Sequence, residues 1–514
     1  MHCYFNRSFY IYQMKFCRKL KRLVQLIFTF SLLLLVGNGY SQEMFGLSTS
    51  NYAGSNSLVL NPANLINSKN YIDINIFSLD FFLDNNSVYI SRQEYSLKTI
   101  ITKEGQIVDP KYYSPSKYTI YDRYSNKSDK RVFQQARILG PSFMMNNGPH
   151  AFAITTAFRN VVSLENVPYH IAKFGYEGFD FKPQQMVRYD GRNFDIYQMT
   201  WGEVNFSYAN RLIDNPEYTL SWGITAKKLY GFSGMYLKAN DLDYMVESDS
   251  VLWIYNMNAD LGVSLPMKYD TNLFDTQHLI HGSSWGFDIG IVFKKNSRYY
   301  TRLKDHTAAP CAQKFEEYDY KLGVSLMDIG SINFTTNARM YEYRDVSTYW
   351  PHVDNLKWNS VNAAISDINT HFYNNPKEIP DRSGFKLFLP TTLSVQFDYH
   401  FQDGFYMNSV FMYPVKLSKP TIWRPSQLAI IPRYESRRYD FFIPLELYNL
   451  QKPRIGLAAR FYFFTIGTDK LGSLLGYSDF SGTDLYFGFK INLNKGYCNK
   501  KPRGNSCPNF EWRR

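Results

Sequence analysis

Residues Thr391–Phe401 read T-T-L-S-V-Q-F-D-Y-H-F. In an extended chain, Leu393, Val395, Phe397, Tyr399 and Phe401 share one side, and Thr392, Ser394, Gln396, Asp398 and His400 share the other. Successive strand side chains point to opposite faces, so this stretch is a strand with one apolar and one polar face. Ser284–Phe293, Arg454–Phe463, Asp484–Leu493 and Tyr71–Phe77 alternate in the same way. Further alternating segments fall at 134–146, 148–158, 198–212, 217–230, 234–246, 251–262, 318–335, 405–417, 426–434 and 437–447.

Alternation alone fits a soluble sandwich as well as a membrane barrel. Three features favour the barrel. Strands of about 9–11 residues are the length that crosses a bilayer at a tilt, whereas soluble strands average about five or six. The face opposite the apolar one is polar or glycine rather than simply charged, as a lumen requires. Tyr 42, Phe 40 and Trp 8 make 18% of the 514 residues aromatic, which suits girdles of rings at the two membrane interfaces. The expected fold is all-β: a transmembrane, antiparallel outer-membrane barrel of about 14 strands, within a range of 12–16.

The start and end of the chain carry the charge. The formal net charge is +12. Residues 1–42 hold Arg7, Lys15, Arg18, Lys19, Lys21 and Arg22 with no carboxylate, and 495–514 hold six cations against Glu511. The body between them is near neutral, which argues against a nucleic-acid partner. Lys15 to Arg22, then an apolar run from Leu23 to Val36, then Gly37 to Ser41 follow the order of a secretory signal peptide. Residues 1–41 are expected to be that peptide, and 495–514 a basic tail. Cys498 and Cys507 can close a small loop in an oxidising compartment, leaving Cys311 over.

Two stretches break the alternation. Asn160–Lys173 contains Pro168, a helix-start residue. Ser360–Tyr373 has Ser360 as an N-cap and Val361, Ala364, Ile365 and Ile368 on one stripe. Both are expected outside the wall, in short loop helices or plugging elements. Residues 101–131 read as a long exposed loop.

The mature start reads Gly46 to Gly54, then Leu58-Val-Leu-Asn61-Pro62-Ala63-Asn64. This Asn-Pro-Ala step is similar to that of FadL-like and PorV-like outer-membrane barrels. Leu389-Pro390-Thr391 to Tyr399, Arg433 to Leu445, Gly467 to Gly488 and Tyr320 to Gly330 resemble an uncharacterised Bacteroidota barrel family related to them, a domain of unknown function. The resemblance covers essentially all of 43–494. It implies an N-terminal segment, 42–70, folded in or under the lumen like a hatch, with Asn61, Pro62 and Ala63 as its motif, and a barrel over 71–494. The basic, cysteine-bearing tail after Leu493 departs from barrels that stop at an aromatic residue.

HExxH, Walker A and GxSxG motifs are absent. The chain therefore reads as a non-enzyme without a cofactor. Asp275, His278 and His281 are a weak metal pattern, and Asp241, Asp243, Glu247 and Asp249 read as a solvated acidic loop. Asp73, Asp288, Gln396, Asp398, His400, Arg460, Lys490 and Asn492 fall on the lumen face, where opposite charges either brace a barrel or tune a pore. The expected partners are outer-membrane lipid, a hydrophobic small-molecule ligand and a periplasmic or surface protein. The functions weighed are passage or binding of a hydrophobic small molecule, a PorV-like scaffold, and a secreted soluble glycan-binding β-protein.

Overall fold

The first wall strand, β1 (Ile72–Asn85), lies antiparallel to the last, with Ile72 opposite Leu493 and Asp84 opposite Gly482. That pairing closes the sheet. The computed structural model describes residues 43–92, 120–122, 127–190, 193–297, 317–355, 358–374 and 381–493. The expected signal peptide, Cys311, the tail with Cys498 and Cys507, and most of 101–131 lie outside the described residues.

From β1 the chain passes through a small rim hairpin, β2 (Val88–Ile90) and β3 (Ile120–Asp122), and re-enters the wall as β4 (Lys130–Leu139) and β5 (Ser142–Asn147). The wall continues through β6 (His150–Val167), β8 (Phe194–Asp214) and β9 (Tyr218–Ser248); β7 (Arg188–Tyr189) and β10 (Val251–Ser264) lie on the rim. Next come β11 (Gly282–Asn296) and β12 (Tyr318–Phe334), then the rim strands β13 (Ala338–Tyr343) and β14 (Thr348–Pro351). The remaining wall is β15 (Phe385–Phe388) with β16 (Thr392–Gln402), β17 (Phe405–Pro414), β18 (Gln427–Glu435), and β19 (Tyr439–Phe442) with β20 (Leu445–Tyr448). It ends with β21 (Lys452–Ile455) and β22 (Leu457–Phe461), β23 (Phe464–Thr468) and β24 (Gly482–Leu493). Counting each broken pair as one stave, this is a closed 14-strand antiparallel barrel.

The breaks have local causes. Pro141, Pro390 and Pro444 stand between β4 and β5, β15 and β16, and β19 and β20. Proline donates nothing to a ladder, so each interrupts its stave. In β12, Asp328 takes a positive φ of 57° where the β11–β12 register shifts. Asp tolerates that conformation, and the bulge aims its carboxylate into the lumen.

Burial is inverted relative to a soluble protein. On β11, Trp285, Phe287, Ile289 and Ile291 are exposed, whereas Asp288, Gly290 and Val292 are buried. Phe397, Tyr399, Ile430, Leu457, Phe464, Ile466 and Leu485 are likewise exposed on other staves. Apolar side chains outside and polar ones inside are the pattern of a wall facing lipid. No helix among the described residues is long and apolar enough to cross a membrane.

Three expectations are corrected. The segments 234–246 and 251–262 are not separate wall strands. They are the upper half of the 31-residue β9 and the rim strand β10, which pair with each other beyond the barrel. A period of two continues into such a projection and does not mark where the membrane ends. Asn160–Lys173 lies partly inside the wall, because β6 runs on to Val167 and the helix Tyr169–Glu177 starts only after Pro168. The acidic stretch from Asp241 to Glu247 is strand rather than loop. The helix Val361–Tyr373 forms as read, with Ser360 Oγ accepting from the Ala363 N–H.

The two rims differ. Hairpins at the rim that holds Tyr71 and Leu493 are mostly tight, such as Asn147–His150, Gln402–Phe405 and Phe461–Phe464. The opposite rim carries both long helices and the β9–β10–β13–β14 projection.

Candidate functional site

Residues 43–70 fill the barrel on the tight-hairpin side. They form short helical turns, Phe45–Ser48, Gly54–Val59 and Pro62–Asn67, and almost every side chain is buried. The turns follow from sequence. Asn61 caps the third through its side-chain oxygen, which accepts from the Ala63 N–H at 2.9 Å, with Pro62 at the first position. Met44, Phe45, Leu47 and Leu60 pack on Val410, Met412, Ile431 and Phe442 of the wall. Leu58, Leu65 and Ile66 pack on Met144, Ala151 and Ala209.

The sequence motif docks on glycines. Asn61 Nδ2 donates to the Ile291 carbonyl at 3.2 Å and faces that of Val324 at 3.4 Å. A Cβ at Gly223 would stand 2.6 Å from the Ala63 nitrogen and the Pro62 carbonyl carbon. Backbone approaches this close admit only glycine. Two spaces of about 40 Å³ each, between the plug and the wall, are the size of one or a few waters.

The lumen-face residues bind this plug or brace the wall around it. Asp73 accepts from Ser55 N (2.9 Å) and Ser55 Oγ (2.6 Å) and lies 3.6 Å from Lys490. Lys490 donates to the Ala53 carbonyl at 2.7 Å. Gln396 donates to the Leu60 carbonyl at 2.9 Å. Asp398 holds Arg433 in a two-point pair (3.0 and 2.8 Å) and accepts from Tyr318 at 2.9 Å; Lys321 lies 3.1 Å away. His400 stacks on Tyr406 with ring centres 4.3 Å apart. Arg460 pairs with Asp440, which also accepts from Ser50 Oγ of the plug at 3.0 Å. Asp288 pairs with Lys227 at 2.8 Å. Asn492 sits opposite Asp73 in the ladder.

Sequence reading missed the centre of the network. Arg159 meets Asp328 in two parallel bonds of 2.9 Å, with Lys227 2.6 Å from the same carboxylate. Arg433 also holds Glu435 at 2.7 Å, and Glu435 accepts from the Asn51 backbone at 2.9 Å. Arg424 pairs with Glu43. Glu435 and Arg433 stand at alternate positions in 426–434 and just beyond it, so their shared face was legible. Asp328 was hidden by its bulge, and Arg159 by the misplaced end of its strand.

Toward the far rim the filling changes character. Phe82, Phe133, Tyr197, Met199, Trp201, Leu229, Phe334, Leu389, Trp423 and Tyr448 form one buried apolar cluster. Beside it, a cleft of about 850 Å³ opens where β21 gives way to the loop after β23, lined by Asp84, Arg92, Lys452, Arg454 and Lys470. Asp84 gathers Arg454 (2.6 Å), Lys452 (2.8 Å) and Lys470 (3.4 Å). Burial pushes the Lys470 ammonium down to about 7, against the pull of Asp84.

The weak metal pattern does not assemble. His281 is buried, with Nε2 3.0 Å from the His278 carbonyl and Nδ1 2.9 Å from that of Thr336. Asp241 accepts from Asn256, Asp243 from Arg188, and Glu247 from Trp253. Among the described residues no group of three His, Cys, Asp or Glu could hold a metal ion.

One family model matches, over residues 62–469, and its description is a family of unknown function, DUF5723. Comparison with curated proteins finds no match. Among solved structures, the Ralstonia pickettii toluene transporter TbuX is 10% identical, with 89% of this chain and 99% of that one covered and a TM-score of 0.37. A Pseudomonas aeruginosa FadL homologue is 11% identical, with 88% and 97% covered and a TM-score of 0.36. The P. putida toluene transporter TodX is 8% identical, with 86% and 95% covered and a TM-score of 0.36.

Proposed function

Since the chain belongs to the DUF5723 family of unknown function, whose description assigns no activity, we propose from the barrel itself that it is an outer-membrane protein that binds or passes a hydrophobic small molecule. The observation that carries this is the two-level lumen. Its inner level is the hydrogen-bonded plug, and its outer level is the apolar cluster from Phe82 to Tyr448. A porin lumen is polar and water-filled. An apolar filling of rings and aliphatic side chains is instead a medium into which a poorly soluble molecule partitions. Residues 43–70 act as the hatch, and movement of that segment is the step that opens a path.

The tight-hairpin rim is the periplasmic one in this reading, because bacterial barrels place short turns there and long loops outside. Residues 1–41 are the signal peptide that brings the chain to that membrane. The apolar exterior supports a membrane wall over the soluble glycan-binding alternative.

The scaffold reading is favoured by one observation, the density of ion pairs that lock the plug. Uptake into liposomes separates the two. Purified barrel reconstituted in vesicles should accelerate entry of a long-chain fatty acid or of toluene over protein-free vesicles. Equal rates, together with a co-purifying protein partner, would establish the scaffold instead.

A further inference from the structure

Beyond the barrel, the upper half of β9 pairs with β10, and β10 with β14, so the sheet continues as a projection on the far rim. Its two faces differ. Tyr244, Val246 and Leu252 pack against Phe174 of the helix Tyr169–Glu177. Trp350, opposite Leu252 in the ladder, stacks on His371 and meets Phe372 edge-on, both on the helix Val361–Tyr373. That face is closed by helices.

The opposite face stays accessible. It carries Asp243, Met245 and Glu247 of β9, Trp253 and Tyr255 of β10, and Tyr349 of β14, with Arg188 of β7 beside Met245. None of these seven is buried, and Tyr349 is 47% exposed. Following the ladder through its bulges, this face continues the lumen-lining side of β9, the side of Lys227 and Tyr236. It therefore flanks the barrel mouth.

The rings are arranged as a platform. Trp253 and Tyr349 stand 4.6 Å apart between ring centres; Trp253 and Tyr255 lie 6.3 Å apart with planes only 11° from parallel. The Arg188 guanidinium covers Tyr255 at 4.2 Å and is held by Asp243 at 2.9 Å. Glu247 accepts from the Trp253 indole N–H at 2.5 Å. The indole and the guanidinium are thus fixed in place before any ligand arrives, which lowers the ordering cost of binding.

We propose that this aromatic platform on the lumen side of the rim projection is a binding site for pyranose saccharides. A pyranose ring presents an apolar C–H face that lies on an aromatic ring, and an edge of hydroxyls that both donate and accept. The platform offers the matching set: parallel rings at its centre, with the carboxylates of Asp243 and Glu247 and the guanidinium of Arg188 at its edge. A purely apolar solute would strip water from those charges without replacing it. A lipid chain would meet none of the aliphatic residues that line the barrel's outer wall. The site is distinct from the lumen, so its failure would leave the uptake result untouched.

The full-length barrel, purified in a detergent without a sugar headgroup, is titrated with hexasaccharides of glucose, mannose, xylose and N-acetylglucosamine and with a solubilised O-antigen polysaccharide. Tryptophan fluorescence and calorimetry report binding. At least one saccharide should bind with a Kd below 1 mM. Trp253→Ala and Tyr349→Ala should each weaken it tenfold or more, Trp253→Phe should retain most of it, and heat-modifiable migration on gels should stay unchanged in all three. No Kd below 1 mM across the set overturns the proposal, as does binding that either alanine variant leaves intact. Capture of a protein at this face with no saccharide bound overturns it as well.

Discussion

The Asn61 carboxamide occupies the space that a side chain at Gly290 would need, since a Cβ built there would overlap it. Plug and wall are thus fitted to each other at a residue that has no side chain to give up. Gly290→Val should unseat the third turn of the plug while leaving the β11 ladder intact. Overpacking of this kind costs about 1–3 kcal/mol. The check is single-channel conductance in planar bilayers with limited proteolysis of 43–70. More frequent openings and faster cleavage are expected, and wild-type behaviour in both would show that Asn61 does not hold the plug.

The Arg159–Asp328 pair is buried on both sides, and Lys227 shares the carboxylate. Removing one partner of a buried pair strands the other charge, at a cost of about 3–5 kcal/mol. Asp328→Asn should lower the midpoint of urea unfolding in detergent micelles accordingly. Arg159→Met in the same background should cost less than it does alone, since neither charge is then left unpaired. Additive losses in the double variant would refute the coupling.

The fold was legible because membrane barrels write it in a single repeating signal. Thr391–Phe401 alternates cleanly, and the structure puts Gln396 and Asp398 inside and Phe397 and Tyr399 outside. What alternation could not carry was height. Asp243 and Asp288 both occupy polar-side positions on their strands. One reaches a rim projection and the other the barrel interior, because no local residue marks where β9 leaves the wall. Bulges hid the rest. Asp328 breaks the period of its strand, so its meeting with Arg159, 169 positions away, left no trace in either segment.

Ile289 is half exposed at the middle of β11 and faces outward between Phe287 and Ile291. Ile289→Arg should reduce folding into lipid vesicles by about 2–4 kcal/mol, as a cation at the bilayer midplane does. The same change should have little effect in detergent-free water if the wall faced solvent. Folding yields in vesicles, read by heat-modifiable migration, decide between these outcomes.

His281 anchors the rim between β10, β11 and β12, with Ser264 Oγ and the Thr336 carbonyl near one nitrogen and the His278 carbonyl near the other. Burial holds its imidazole below the ordinary histidine value, although the two carbonyls pull the other way. As pH falls through about 6.5, an unfolded rim takes up a proton that the folded rim refuses. Stability of this region is therefore full above that pH and declines below it, until the folded imidazole itself protonates. Hydrogen exchange at Ser264, Gly282 and Thr336 should accelerate between pH 7 and pH 5 while β16 and β17 stay protected. His281→Gln should flatten that dependence. A rim whose exchange, corrected for intrinsic rates, shows no change across this range would mean that the imidazole is charged in place.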